Sequence, residues 1–178
     1  MTVRLLVIAA VLWVFSALAA PAHAQIQIAY SPTGSPALGR IVRDSGASTF
    51  TIGTSGAVTR TSGSAIRLSS ASVTPPTITI SCGFLNLEGL CALRQVRVTV
   101  QAVPNANAKI THFYISGLLG NLLFAGTAPP SGSSMSFDLK PLGLLGTGTF
   151  TLGMDVWISG GLASGQYNFD YVVTATFI

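Results

Sequence analysis

Charged residues are scarce in this chain. Asp, Glu, Lys and Arg make up 8% of its 178 residues, whereas a soluble globular domain averages about 25%. The nine Lys and Arg residues are scattered along the sequence, and a nucleic-acid-binding surface calls for a basic cluster. The composition therefore argues against nucleic acid as a partner, and it fits a molecule whose surface is largely covered by neighbours.

Long hydrophobic runs are confined to the N-terminus. Arg4 precedes an apolar stretch from Leu5 to Ala20, and Ala22-His23-Ala24 has the small-x-small form of a cleavage site. This arrangement is typical of a secretory signal peptide, so we predict removal of residues 1–24 and a mature chain that begins at Gln25. No later run approaches the roughly 18 to 20 residues that a membrane-spanning helix needs. The mature protein is therefore expected to be exported.

Residues that could carry catalysis are few. His112 is the one histidine that remains after the predicted cleavage, and a histidine on a strand more often faces solvent or a hydrogen-bond partner than acts as a base. No G-x-S-x-G, H-E-x-x-H or C-x-x-C motif occurs. The acidic residues are dispersed: Asp44, Glu88, Asp138, Asp155 and Asp170. We therefore predict no enzymatic activity, no catalytic or metal-binding residue, and no cofactor.

Cysteine is nearly absent. Cys82 and Cys91 are the only two, and in an exported chain two cysteines indicate one disulfide. The alternative, half of a metal site, would need further ligands, and Glu88 is the only candidate between them. We predict the disulfide, which should stabilise the fold by about 2.5 to 3 kcal/mol because it closes a short loop in the unfolded chain.

Helical patterns longer than two turns are also missing. Short alternating segments lie instead between turns rich in Gly, Ser, Thr and Pro, which is typical of an antiparallel β-sandwich. The predicted strands are 38–43, 48–53, 56–60, 64–69, 77–82, 95–103, 109–116, 134–139, 148–158 and 166–178. Removal of 24 of the 178 residues leaves 154, enough for one domain with a core. We assign this all-β domain to residues 37–178.

A short arm precedes that domain. Ile26, Ile28 and Tyr30 alternate with Gln27 and Ala29, as on one face of a strand. Two prolines and a glycine follow between residues 31 and 36 and would interrupt a β-ladder. Residues 25–36 are therefore predicted to form a detachable N-terminal arm with a hinge.

The C-terminus carries the strongest β-pattern of the chain. Apolar side chains occupy every second position after Gly165, whereas mostly polar residues fill the gaps. Such spacing predicts one strand with an apolar and a polar face, running without a break to Ile178. The apolar set is Tyr167, Phe169, Tyr171, Val173, Ala175 and Phe177.

This ending resembles that of subunits assembled by the periplasmic chaperone–usher pathway. Those subunits end in an alternating strand with a glycine fourteenth from the C-terminus and an aromatic residue at the penultimate position, as Gly165 and Phe177 are here. The mature chain also resembles the DUF4402 type of secreted bacterial domain related to fimbrial subunits. The segments that carry this second likeness are 38–42, 48–52, 148–153 and 164–167.

The resemblance implies an immunoglobulin-like, pilin-like sandwich that lacks its last strand, although the sequence leaves open whether the sandwich is complete. Gly165 and the six apolar residues after it would form the strand that borders an open groove, and Ile26, Ile28 and Tyr30 would be the donor residues. The implied partners are a periplasmic chaperone, an outer-membrane usher, and other copies or related subunits joined by strand addition. The implied location is the periplasm and then the cell surface or a fimbrium.

A second interpretation is a self-contained secreted sandwich that coats the cell or binds a surface glycan. Trp157, Tyr114 and Tyr30 are the aromatic residues that could form a sugar platform. The two glycine-broken apolar segments, 115–124 and 139–146, also have two interpretations. They form either core-facing loops or an exposed apolar patch that packs against another subunit.

Overall fold

The computed structural model describes residues 26–42, 45–83, 90–161 and 163–178. These residues form twelve strands and one short helix, α1 (Leu90–Leu93). The strands are β1 (Ile26–Ser31), β2 (Ala37–Val42), β3 (Ser48–Ile52), β4 (Val58–Ser62), β5 (Ile66–Arg67), β6 (Thr77–Cys82), β7 (Val96–Ala102), β8 (Ala108–Gly120), β9 (Ser134–Leu139), β10 (Thr147–Ile158), β11 (Gly165–Asn168) and β12 (Tyr171–Phe177). Every pairing between them is antiparallel. The predicted all-β antiparallel architecture is confirmed.

The first sheet is built around β10. Strand β8 pairs with one edge of β10 from Gly148 to Ile158. On the other edge β6 pairs with residues 147–151 and β3 with residues 154–158, so β6 and β3 lie end to end. Strand β1 then adds to β6, and β4 adds to β3.

The opposing layer consists of two smaller sheets. One has the order β12-β7-β9 and the other has the order β11-β2-β5. Inward side chains of both layers form the core, as the alternation of buried residues in β3, β6, β7, β9 and β10 requires. Phe137 of β9 meets Phe150 of β10 edge to face with ring centroids 5.7 Å apart, so the two layers are in direct contact.

The C-terminal ribbon is interrupted, which corrects the prediction of one unbroken strand. The break falls at Phe169 and Asp170, between β11 and β12. Before it the ribbon pairs with β2, and after it with β7. The interruption therefore coincides with the change of partner strand.

The disulfide between Cys82 and Cys91 is present, as predicted, with the Cα atoms 6.2 Å apart. It ties the end of β6 to α1, and both cysteines are buried. Backbone bonds extend this connection, since Cys82 N–H donates to Gly146 O at 3.1 Å and Gly143 N–H donates to Cys91 O at 3.0 Å. The end of β6, α1 and the turn before β10 therefore form one linked end of the domain.

Candidate functional site

The candidate site is the edge of β12 that faces away from β7. Residues Tyr171 to Phe177 pair with β7 in continuous register. Val103 N–H donates to Asp170 O at 2.9 Å, and Ile178 N–H donates to Gln95 O at 3.0 Å. Backbone groups alternate in direction along an antiparallel strand, so the even-numbered residues of β12 bond to β7.

The odd-numbered residues of β12 therefore turn their N–H and C=O groups to the other side. No strand among the described residues pairs with that side. Instead, the hydroxyl of Tyr30 donates to Val173 O at 3.3 Å and accepts from Val173 N–H at 3.4 Å. A single phenol thus stands where a neighbouring strand would supply one donor and one acceptor.

The other wall of the site is β1. It pairs with β6 in the register Ile26 to Cys82 through Ser31 to Thr77. Because Cys82 N–H bonds toward β10, the odd-numbered residues of β6 bond to Gln27, Ala29 and Ser31. The backbone groups of Ile26, Ile28 and Tyr30 are therefore directed away from β6. Two strand edges that no described strand pairs, one from each layer, therefore lie next to each other, and we call the space beside them the groove.

The floor of the groove is apolar. The inward side chains of β1 and β12 are half-buried, apart from Val173, which is buried. Tyr171 meets Tyr30 with ring centroids 6.0 Å apart and Phe113 with centroids 6.1 Å apart. Burial of the phenol, together with the neighbouring Tyr30, raises the pKa of Tyr171 to about 12. The groove is thus bordered by neutral, partly covered apolar groups.

One end of the groove is closed. The chain between β1 and β2 crosses from one layer to the other beside Tyr30 and Tyr171. Ser35 Oγ donates to the carboxylate of Asp170, and Phe169 N–H donates to Pro36 O at 3.2 Å. The opposite end lies at Ile26, which is paired with disulfide-bonded Cys82, and at Ile178, whose N–H donates to Gln95 O at 3.0 Å.

The structure separates the predicted C-terminal set into two groups. Tyr171, Val173, Ala175 and Phe177 line the groove. Gly165 and Tyr167 belong to β11, whose edge β2 covers, and Phe169 is fully buried. Sequence alternation shows which face is apolar, but it does not show where along the ribbon the neighbouring strand ends.

The predicted N-terminal arm is docked on its own domain. Ile26, Ile28 and Tyr30 lie in β1, which is an edge strand of the first sheet, rather than in a segment apart from residues 37–178. Their side chains pack against the core. A donor role for these three residues stays a prediction, and it would require β1 to leave β6. The role of the Tyr30 hydroxyl was not visible in the sequence, because alternation does not report hydrogen-bond partners.

The three aromatic residues considered for a sugar platform do not share one surface. Tyr30 points inward, opposite buried Ile78, whereas Trp157 and Tyr114 lie on the outer face of the first sheet. Lys109 Nζ lies over the Trp157 ring at 4.9 Å from its centroid. The Tyr114 hydroxyl donates to Asp155, and this bond raises the pKa of Tyr114 to about 12. Both outer aromatics are therefore engaged within the protein.

Other candidate chemistry is dispersed. His112 is half-exposed, with Nδ1 at 3.8 Å from Asp155 Oδ2. In the part of the chain that the structure describes, no three His, Cys, Asp or Glu side chains come together in a way that could hold a metal ion. The same residues contain no helix long and apolar enough to span a membrane.

The two glycine-broken segments, 115–124 and 139–146, have some leucines that face the core and others that are exposed. Leu122 and Leu142 are buried, whereas Leu119, Leu123, Leu144 and Leu145 are exposed. Asn121 Nδ2 donates to Leu142 O at 3.1 Å, which joins the two segments. The turn that carries Leu144 and Leu145 adjoins the disulfide-linked end, because Gly146 O accepts from Cys82 N–H.

No family model, curated protein or solved structure matches the chain. The function is therefore argued from the groove and its residues.

Proposed function

We propose that this protein is a structural subunit of a bacterial surface fibre whose groove accepts an extended strand from another chain. The observation that carries the proposal is the pair of unpaired edges on β1 and β12, which face one apolar groove. In the chaperone–usher type of assembly that the C-terminal sequence resembles, a periplasmic chaperone fills such a groove first. The arm of the next subunit then replaces it at the outer-membrane usher, a mode of strand addition.

The energetic reason is the unsatisfied edge. An exposed strand edge with apolar side chains beneath it favours association, because it offers both backbone bonds and burial of apolar area. An incoming strand would replace the Tyr30 hydroxyl at Val173 and pair with Tyr171, Ala175 and Phe177 as well. Its alternate side chains would cover the half-buried groove residues, and this requirement sets its register.

The donor in this proposal is an arm like β1. Its alternation of apolar and polar side chains suits insertion into such a groove, with Ile26, Ile28 and Tyr30 turned to the floor. The arm of one copy would insert beside β12 of the next copy, which is a head-to-tail contact. A contact of this kind does not close on itself and would produce filaments.

The exposed leucines support contact between subunits. Leu144 and Leu145 lie in the turn before β10, at the disulfide-linked end of the domain. Leu145 has a φ of 56°, a conformation that is costly for a bulky side chain and cheaper for asparagine. Leu145→Asn should therefore keep or raise thermal stability while it weakens assembly, if the side chain serves packing between subunits.

The alternative is a self-contained secreted sandwich that coats the cell or binds a surface glycan. The observation in its favour is the Tyr30 hydroxyl, which satisfies both backbone groups of Val173 within one chain. In that case the domain is complete without a strand from another chain.

The test is binding of a labelled peptide of residues 25–36 to the chain 25–178 with its own arm intact, followed by fluorescence anisotropy. We expect saturable binding that Ala175→Arg abolishes, because this substitution places a charged side chain on the groove floor. Thr174→Arg is the matched control, since Thr174 is exposed on the opposite face of the same strand, and it should leave binding unchanged.

Two results would contradict the proposal. Absence of binding by a folded, monodisperse chain would favour the self-contained domain. Binding that appears only after deletion of residues 25–31 would place the peptide on the vacated edge of β6 instead of in the groove.

A further inference from the structure

A second concave surface lies beside β4 and β5, away from the groove. It is a cavity of about 460 Å³ between β4 and the segment that carries β5. Small-molecule sites typically have volumes of about 300 to 1,000 Å³. None of its lining residues belongs to β1 or β12, so a ligand here would not compete with a strand in the groove.

Two arginines line this cavity, and backbone carbonyls hold both of them. Arg60 Nη1 donates to Ala65 O at 3.0 Å. Arg67 Nε donates to Leu38 O at 2.5 Å, and its Nη2 donates to Ala71 O at 2.7 Å. A guanidinium carries five N–H donors in a planar fork, so each retains donors for a ligand. Because their positions are already fixed, less conformational entropy would be lost on binding.

The positive charge of these arginines is not neutralised by the described part of the chain. Each of the three described side-chain carboxylates is engaged elsewhere. Asp138 pairs with Arg97 at 2.8 Å, Asp155 accepts from Thr51 and Tyr114, and Asp170 accepts from Ser35. Neutral carbonyls orient a guanidinium without cancelling its charge. The cavity therefore favours an anionic group, and carboxylate or phosphate matches the arginine fork.

The other residues that line the cavity indicate the kind of molecule to which the anionic group is attached. Ser69 and Ser70 contribute hydroxyls, whereas Val58 and Ile66 contribute aliphatic surface. Hydroxyl groups and aliphatic C–H surface together match a sugar ring, and the volume exceeds what a bare oxyanion would fill. We propose that this cavity binds an acidic saccharide, with a uronate carboxylate on Arg60 and Arg67 and the ring against Ile66 and the serines.

The test is isothermal titration of the chain 25–178 with a galacturonate trimer at low and at physiological ionic strength. Two further probes isolate the chemistry: the methyl-esterified trimer lacks the charge, and inorganic phosphate lacks the sugar. We expect saturable binding of the trimer, with at least tenfold weaker binding of both comparison probes. Binding should also weaken as salt increases, because salt screens exposed charge.

Arg60→Gln tests the guanidinium and should weaken trimer binding at least tenfold. Arg94→Gln is the matched control, because Arg94 is an exposed arginine outside the cavity, and it should change the affinity less than twofold. Ile66→Asp adds a negative charge at an exposed rim position and should abolish binding while the melting temperature stays near that of the wild type. This second variant keeps the test valid if Arg60→Gln disturbs the fold.

Equal binding of the methyl ester, or tight binding of phosphate alone, would overturn the assignment to an acidic saccharide. An equal loss with Arg94→Gln would show nonspecific charge attraction and would also overturn it, as would no heat at millimolar trimer. Peptide binding to the groove, measured on the same samples, distinguishes failure of this site from failure of the fibre proposal.

Discussion

Strands β10 and β12 carry the same kind of sequence but have opposite environments. In both, apolar inward residues alternate with outward residues that are mostly polar, with Trp157 in β10 and Val172 in β12 as apolar exceptions. β10 is paired along both edges, by β8 on one side and by β6 and β3 on the other. β12 is paired only with β7 among the described strands. Alternation therefore specifies a strand and its buried face, whereas the topology decides whether both edges are satisfied.

The difference extends to burial. The inward residues of β10, from Phe150 to Ile158, are at most 2% exposed. In β12 only Val173 is buried, and Tyr171, Ala175 and Phe177 are half-buried. A substitution in β10 should thus affect stability, whereas one on the open side of β12 should chiefly affect association.

The largest expected effect is on stability. Leu152→Ala on β10 should lower the free energy of unfolding by about 2 to 5 kcal/mol, because Leu152 is fully buried and its truncation leaves a cavity. Val172→Ala on the exposed face of β12 should change it by less than about 0.5 kcal/mol. Urea denaturation followed by circular dichroism measures both. A comparable loss for the two variants would remove the distinction between the strands.

The next prediction concerns hydrogen exchange. Amides of Tyr171, Ala175 and Phe177 should exchange much faster than those of Val172, Thr174 and Thr176, because only the second set donates to β7. In β10 the amides of odd-numbered and even-numbered residues should both be protected from exchange, since each edge of the strand has a partner strand. Residue-resolved exchange by NMR measures this. Uniform protection along β12 would show that its outer edge is already filled, and the strand-addition proposal would then fail.

Much of this fold could be predicted from the sequence. All ten predicted segments in residues 38–178 contain strands, because period-two alternation between turn residues is a local property. The disulfide also followed from composition. The break at Phe169 and Asp170 and the extension of β8 through Gly120 could not be predicted, since both depend on which distant strand is adjacent.

The candidate site was only partly predictable for the same reason. Tyr171, Val173, Ala175 and Phe177 lie on the inward face of the C-terminal ribbon, whereas β2 covers the edge at Gly165 and Tyr167. The cavity with Arg60 and Arg67 gave no local signal. Arg60 and Arg67 differ from Arg97 because no described aspartate pairs with them, and this pairing is decided only when the chain folds.

A smaller effect is expected for the Tyr30 hydroxyl, which connects β1 to β12. Tyr30→Phe removes both hydrogen bonds to Val173 and should lower the free energy of unfolding by about 1 kcal/mol. The Val173 amide should then exchange as fast as that of Ala175. Peptide binding should be kept or strengthened, because an incoming strand no longer displaces the phenol. Weaker peptide binding would indicate that Tyr30 contacts the ligand and does not merely cap the edge.

The last expected effect is the alkaline titration of Tyr171, and it tests how far the open edge of β12 is removed from water. Desolvation, with Tyr30 nearby, raises its pKa from 10 to about 12, so the folded state favours the neutral phenol. The resulting stabilisation is fully present below pH 10 and is lost as the pH rises through 12.

Tyr171→Phe should therefore reduce the loss of stability between pH 10 and 12, measured from urea midpoints alongside phenolate absorbance. Tyr114 has a raised pKa of the same sign through Asp155, so Tyr114→Phe and the double variant are needed to separate the two contributions. If Tyr171→Phe follows the wild-type pH dependence, Tyr171 is solvated, and the groove floor is wetter than its neighbours Tyr30 and Phe113 imply. A bound strand should make the Tyr171 titration occur at still higher pH, because it covers the remaining exposed part of the ring.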